Sequence, residues 1–285
     1  MQLNRLESLQ YDLKGQDLIV NVLQNYHLEC IRKIYFVSSD RVNIFASGSS
    51  IANLDFSDEL LEEPAIFVNG SISLTHEFLF KNQVAYVISD ARFIEHNYDV
   101  FLKGYIGQPL FITQAVLEKI IRLNVKLIMD NVEKIYLIHA IDRPIKNPRN
   151  GFLKKVISKH KLNLAAIVDP NIVVNAQHNP VIGVSLNICK GFVEAGTVTY
   201  IATQLAKGFG ARKIYLYGMD LINSHQPRFY ENQKNQAPCK LDQAVENRII
   251  PSFDLLAEQY LSLGVEVYNC SPISKDLFKI LKFHN

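Results

Sequence analysis

Residues 196–230, GTVTYIATQLAKGFGARKIYLYGMDLINSHQPRFY, gather Thr197, Gly218, Asp220, His225, Arg228 and Tyr230. These residue types handle phosphates and sugars. An arginine grips a phosphate or carboxylate bidentately, a tyrosine donates a proton, and an aspartate orients a hydroxyl or acts as a base. Arg228 and Tyr230 stand two apart, so in extended chain they face the same way and could together stabilise a departing phosphate. His225 is a candidate base or a solvated loop residue. Three upstream segments carry a similar inventory: Ser47, Gly48, Ser49 and Ser50, then Asn69, Gly70 and Ser71, then Ser89, Asp90, Ala91 and Arg92. Small residues in the first let backbone N–H groups and hydroxyls approach a phosphate or ribose, although a plain tight turn has the same composition. That segment lacks the lysine of a P-loop and the spaced glycines of a dinucleotide fingerprint. Asp90 and Arg92 read either as a base beside a carboxylate grip or as a structural ion pair. Thr197 opens a helix, as its cap or as part of an anion contact.

Each of these loops needs a strand to carry it. The apolar runs 42–46, 65–68, 84–88, 110–113, 134–139, 213–217 and 265–268 are short and bounded by polar residues. That is the pattern of strands buried on both faces of a parallel sheet. Another strand is expected from residue 181 onward. Helical spacing of apolar residues covers 16–32, 58–63, 116–127, 197–208 and 249–263, and the tail 273–285 reads as a final amphipathic helix. Ser271 and Pro272 follow the last strand, on the same edge as the other loops. Residues 142–150 read as an exposed loop or lid, and Lys154, Lys155, Lys159 and Lys161 as a solvated helix face or an acceptor-binding patch. The expectation is one α/β domain over residues 1–285. Its central sheet is mainly parallel and flanked by helices, a Rossmann-like arrangement, with a less regular segment around 140–180.

Composition narrows the function. With 48% hydrophobic and 20% charged residues the chain can bury a substantial core. Thirty basic and 28 acidic residues leave a net charge of +2, too balanced for a nucleic-acid partner. Cys30, Cys189, Cys239 and Cys270 show no paired spacing, so neither zinc nor a disulfide framework is expected. The first residues lack a signal peptide's apolar run and no stretch is long enough for a membrane span, which predicts a cytoplasmic protein. The lysines of the tail, Lys275, Lys279 and Lys282, would let its helix touch an anionic inner-membrane surface or simply dock on the core.

The order of motifs adds a family. IFASGSSIANLDF, AIFVNGS, the 196–220 run and EVYNCSP together resemble bacterial CMP-sialic-acid-dependent sialyltransferases. VNGS, SDARF, TVTYIATQLA and the GMD and RFYE pair resemble more closely the lipopolysaccharide-core Kdo transferases of the WaaZ type. The resemblance implies a CMP-activated acidic sugar as donor, a glycan acceptor, a single nucleotide-sugar-binding domain, and catalysis with neither metal nor cofactor. It aligns Gly48, Ser49 and Ser50 with a nucleotide loop, Asn69 with the asparagine ending the second strand, and Asp220 with the aspartate after a late strand. CMP would then lie across the Gly48 loop, Asn69 and Gly70, the Thr197 helix start, Gly218 and Asp220. Arg92 or Arg228 would hold the donor carboxylate and Tyr230 would assist phosphate departure. The chain departs from the sialyltransferases at Ser47 and Ser49 of that loop. It has Val198 and Thr199 where they have Ser-Gly, and Asp242 and Glu246 in a segment where they carry the catalytic histidine. The base is therefore open among Asp90, Asp242 and His225. Other classes remain open too: a sialyltransferase proper, a non-catalytic nucleotide-binding protein of glycan assembly, and a methanopterin-type pyrophosphokinase relative using ATP and Mg²⁺.

Overall fold

The computed structural model describes residues 6–13, 17–36, 39–146, 161–222, 227–231 and 244–285. Its strands are β1 (Ser8–Asp12), β2 (Asp17–Val22), β3 (Arg41–Phe45), β4 (Ala65–Val68), β5 (Gln83–Ile88), β6 (Leu110–Ile112), β7 (Ile135–Leu137), β8 (Ile172–Asn175), β9 (Ile182–Ser185), β10 (Lys213–Tyr217), β11 (Glu266–Asn269) and β12 (Lys282–Phe283). Ten of them form one sheet in the order β1-β2-β7-β6-β5-β4-β3-β10-β11-β12, and β8 and β9 make a separate antiparallel pair. Within the large sheet only β1 and β2 pair antiparallel; every other neighbour is parallel. This is the mainly parallel α/β sheet expected from the apolar runs.

The strand order explains where a ligand can sit. From β3 the chain steps outward through β4, β5 and β6 to β7, whereas β10, β11 and β12 build away from β3 on its other side. The direction of winding reverses between β3 and β10. Loops leaving the carboxyl ends of those two strands diverge there, and open α/β sheets bind ligands in the crevice that results.

Period-two alternation sends successive side chains to opposite faces. Val42, Ile44, Ile66, Val68 and Val87 join one core. Against it pack α1 (Asn25–Tyr35), α6 (Val198–Gly208) and α7 (Ile250–Leu261), through residues such as Ile31, Ile201 and Leu256. Phe45, Phe67, Tyr86 and Ile88 point the other way, into a core with α2 (Asp58–Glu62), α3 (Ala91–His96), α4 (Tyr98–Gly104) and α5 (Gln114–Asn131). Each strand of the centre is thus covered on both sides, which is why its sequence is mostly apolar, with Asn43 of β3 a buried polar exception.

Two expected helices are corrected. Residues 17–22 are strand β2 and not the first turns of a helix: Leu18, Val20 and Val22 are buried while Asp17 and Ile19 are exposed. The helical spacing of Leu18, Val22 and Leu28 is real, but this alternation with β-branched residues outweighs it and the helix begins only at Asn25. The tail forms no amphipathic helix either. The Asp254 carboxylate accepts backbone N–H groups of Lys279 (3.1 Å), Ile280 (2.8 Å) and Leu281 (3.1 Å), and β12 then adds to the sheet edge beside β11. Leu281 is buried and Leu277 and Phe278 pack partly against the core, while Ile280 and Phe283 stay exposed. The lysines 154, 155 and 159 and residues 147–150 of the expected lid lie outside the described residues.

Phe45, at the end of β3, is fully buried and stacks on Phe67 (5.6 Å between centroids) and Tyr217 (5.4 Å), with Phe80 edge-on at 5.2 Å. Phe45→Ala is expected to destabilise the fold by about 3–5 kcal/mol in urea denaturation, as large aromatic truncations in packed cores do.

Candidate active site

The loops after β3 and β10 stay joined beyond the strands. Ala46 N–H donates to Tyr217 O (2.8 Å) and Gly48 N–H to Gly218 O (2.9 Å). The Asp220 carboxylate then ties three loops together. Its Oδ2 accepts from Ser50 N–H (2.7 Å) and the Ser49 hydroxyl (3.4 Å), and its Oδ1 from the hydroxyls of Ser50 (2.6 Å) and Ser271 (2.5 Å). Both oxygens therefore already accept protein donors, so Asp220 holds these loops together. Two glycines let the loops approach one another. A Cβ at Gly48 would lie 2.4 Å from Asp220 Cγ, and Gly218 adopts φ +68°, where a side chain is strained and would meet Ile51.

These loops wall a cleft of about 660 Å³ lined by Ser47, Gly48, Ser49, Asn69, Asp90, Arg92, Thr197, Thr199, Gly218, Asp220 and Arg228, among others. The predicted residues of four separate segments are thus brought together. Ser50 stands behind its loop on Asp220, as described. Gly70 faces away from the cleft proper: a Cβ there would come within 2.0 Å of Tyr230 Cζ, so its bare backbone is the seat of the tyrosine ring. Ser71 serves the fold, accepting from Val68 N–H (2.8 Å) and donating to Phe45 O (2.5 Å). Glu246 sits in a single π-turn (Val245–Ile249) ahead of α7 and does not line the cleft, while His225 and Asp242 lie outside the described residues.

Two features of the cleft stand out, a helix N-terminus and an unpartnered acceptor. Helix α6 opens onto it: Thr197 caps the helix, its Oγ1 accepting from Thr199 N–H at 3.3 Å, and the first turn contains no acidic residue. The positive end of the helix dipole is therefore not neutralised by its own side chains. Across the cleft, Asn69 holds φ +50°, uncommon for a residue with a side chain. Its carbonyl accepts from Tyr86 Oη (2.8 Å), and its Oδ1 is buried with no hydrogen-bond partner among the described residues. Buried acceptors are normally satisfied, so this one is suited to an N–H or O–H of a ligand.

The charged groups divide between structure and chemistry. Asp90 caps α3 by accepting from Arg92 N–H (2.9 Å), and also takes the Arg92 guanidinium, with Nε 2.8 Å from Oδ2. Burial pushes its carboxyl up, but the Arg92 hydrogen bonds and charge outweigh that and hold it below the usual range. The ion pair named in the sequence reading is present, and Arg92 bonds both Asp90 oxygens. Arg228 Nη1 meets Glu231 Oε1 at 2.6 Å, with the Glu231 side chain 1% exposed. Burial pushes the Tyr230 phenol up to about 12, against the opposing Arg228 charge, so it keeps its proton at neutral pH and can donate. Sequence reasoning missed Arg143 and Glu194, which both line the cleft and pair at 3.3 Å. The available signal was a lone acid in the apolar run GFVEAGT just before α6. Among the described residues no three His, Cys, Asp or Glu side chains gather as a metal site.

The family model for the 3-deoxy-D-manno-octulosonic acid transferase WaaZ matches residues 30–285. A probable 3-deoxy-manno-octulosonic acid transferase of Escherichia coli (strain K12) is 25% identical over 259 residues, covering 87% of this chain and 84% of the relative. Its counterpart from Salmonella typhimurium is 24% identical over 246 residues, covering 84% and 85%. Among solved structures, a point mutant of the α-2,3/8-sialyltransferase CstII aligns with a TM-score of 0.42 at 17% identity, over 86% of this chain and 87% of that one.

Asp220→Ala would leave the Ser50 and Ser271 donors without their acceptor. Hydrogen bonds to charged groups contribute about 1.5–3 kcal/mol, so a loss of that order is expected in chemical denaturation. Asp220→Asn, which preserves shape and keeps one of the two acceptor oxygens, is expected to lose less.

Proposed function

Because the chain belongs to the family of the 3-deoxy-D-manno-octulosonic acid transferase WaaZ, we propose that this glycosyltransferase moves Kdo from a CMP-activated donor to a lipopolysaccharide-core or related surface-glycan acceptor. One observation carries the donor assignment. The cleft at the β3/β10 reversal sets an uncompensated helix N-terminus opposite the 47–49 loop and the orphaned Asn69 acceptor. A nucleoside monophosphate has the matching parts: an anionic phosphate for the first turn of α6 and N–H and O–H donors for Asn69.

In this assignment the CMP phosphate lies at Thr197–Thr199, with ribose and base along Ser47, Gly48, Ser49 and Asn69. Arg228 or Arg92 holds the carboxylate of the donor sugar, as guanidinium groups do in bidentate pairs. Departure of CMP puts growing negative charge on the phosphate oxygen. The protonated Tyr230 phenol and Arg228 meet that charge, and a metal ion is not needed for the step. A chelator is accordingly expected to leave the rate unchanged. The same proposal puts the transfer in the cytoplasm, against an acceptor at the inner-membrane surface. Among the described residues no helix is long and apolar enough to cross a membrane.

Calorimetry with CMP, CDP, UMP and AMP tests the donor, and the absence of a preference for CMP would sink it. Replacing CMP-Kdo by CMP-sialic acid in the transfer assay separates this assignment from a sialyltransferase. Tyr230→Phe keeps the ring on Gly70 but removes the donor, so kcat should fall roughly 10²-fold or more with CMP affinity unchanged. Because the Tyr230 phenol titrates only near about 12, its proton is still bound from neutral pH up to the ordinary tyrosine value. The rate should show no alkaline loss from this residue over that span, and a Tyr230-dependent fall near pH ~8 would count against the role.

A further inference from the structure

Beside the cleft lies a second cavity of about 360 Å³, bounded by Ile141, Asp142, Lys161, Val181 and Arg248 among others. Glu194 lines both spaces. Its backbone is held rigidly. The buried Gln204 side chain accepts from Val193 N–H (3.0 Å) and Ser185 N–H (3.0 Å) and donates to Val193 O (2.9 Å), while Arg248 donates to Glu194 O (2.8 Å). Just upstream, Phe192 N–H donates to His139 O (2.9 Å) and Ile141 N–H to Phe192 O (2.8 Å), so this segment is strapped to the chain leaving β7. The next residues on that strap divide between the two spaces. Arg143, on the cleft side, reaches the Glu194 carboxylate at 3.3 Å, and Asp142, on the cavity side, pairs with Lys161 at 3.1 Å. Glu194 keeps 28% of its side chain exposed.

We propose that the second cavity is the acceptor subsite, taking a pyranose ring of the glycan, and that Glu194 accepts the proton of the attacking hydroxyl. This deepens the assignment of the cleft to a CMP-sugar donor and rests on it. A transfer needs donor and acceptor spaces that meet at the reacting atoms, and Glu194 stands where these two meet. The volume falls within the ~300–1,000 Å³ of small-molecule sites. Its lining pairs an apolar side, Ile141 and Val181, with Asp142, Lys161 and Arg248 as hydrogen-bonding groups, which suits the C–H face and the hydroxyls of a sugar. The nearer carboxylates are more heavily committed: Asp220 accepts from four protein donors and both Asp90 oxygens take Arg92, whereas Glu194 meets Arg143 by a 3.3 Å contact at Oε2. In the step, the acceptor hydroxyl oxygen bonds to the anomeric carbon of the donor. The bond from that carbon to the phosphate oxygen breaks with its electron pair going to CMP, and the hydroxyl proton passes to Glu194.

The test uses the purified full chain, CMP-Kdo as donor and deacylated lipopolysaccharide-core oligosaccharide as acceptor. E194Q is expected to bind CMP as wild type does, yet to lose roughly 10²-fold or more in kcat. V181W, which fills the cavity without touching the cleft, is expected to raise the acceptor KM about tenfold and leave the donor KM unchanged; L164W serves if V181W does not fold. Failure of the wild type to bind CMP overturns the donor assignment and this one with it. If the wild type binds CMP and transfers, two results overturn the subsite alone: E194Q within about threefold of wild type, or V181W raising the donor KM in place of the acceptor KM. Wild type that binds CMP but leaves the core oligosaccharide unmodified overturns the acceptor assignment of the cavity.

Discussion

Everything at the carboxyl edge of the sheet depends on one carboxylate. Winding reverses between β3 and β10, so the chain itself gives no continuity there: the loop after β3 runs toward β4 and the loop after β10 toward β11. Asp220 supplies it, accepting from Ser49 and Ser50 on one side and from Ser271 on the other. A carboxylate can do this because it only accepts, and its two oxygens offer about four lone-pair directions. Charge-assisted bonds of this kind are stronger than neutral ones, and here they hold residues that carry no bulk of their own. The loop needs small residues for close approach to a ligand, and small residues cannot pack it. Hydrogen bonding has to replace packing.

The same division recurs across the cleft. Gly70 gives up its side chain so that the Tyr230 ring can sit on its backbone, and Gln204 uses a buried amide to hold Val193 from both sides. In each case an apolar core residue could not do the work. The two hydrophobic layers fix the strands, but they end where the strands end. Beyond that edge, buried polar side chains set where each backbone turns. Satisfied networks of this type specify a single geometry, which a site for charged ligands requires.

The part of the fold legible in the sequence was the part governed by burial on both faces. The runs at β3, β4, β5, β6 and β10 contain almost nothing but apolar residues, and few alternatives bury such runs. The errors fell where one face is exposed. In 17–22 a strand alternation and a helical spacing coexist, and in the tail Lys275, Lys279 and Lys282 imitate a polar helix face. There the outcome was decided by partners distant in sequence: β7 pairing with β2 and Asp254 capturing three N–H groups. Candidate site residues at strand ends were legible for the same reason as the strands. Their individual roles were not, since nothing local tells that Asp220 will meet Ser50, 170 positions away. Glu194 was missed because its importance comes from the two spaces it separates, which no spacing rule encodes.

Helix termini show how the chain chooses which positive end to leave for a ligand. Helix α2 begins with Asp58 and Glu59 in its first turn, capped by Ser57, so its dipole is met by its own acids. Helix α6 begins with Thr197 as cap and Val198, Thr199 and Tyr200 after it, with no acid among them. Aspartate or glutamate there would stabilise the isolated helix by roughly 0.3–1 kcal/mol, so leaving it out carries a cost in stability. That cost is intelligible only by what the helix end faces. At α6 it opens on the cleft, whose carboxylates each have a counter-group beside them: Asp220 the serines, Asp90 Arg92, and Glu194 Arg143 at 3.3 Å. With those acids matched, the first turn of α6 keeps the positive end of its dipole free of acidic side chains, which is the feature that the proposed CMP-sugar assignment relies on.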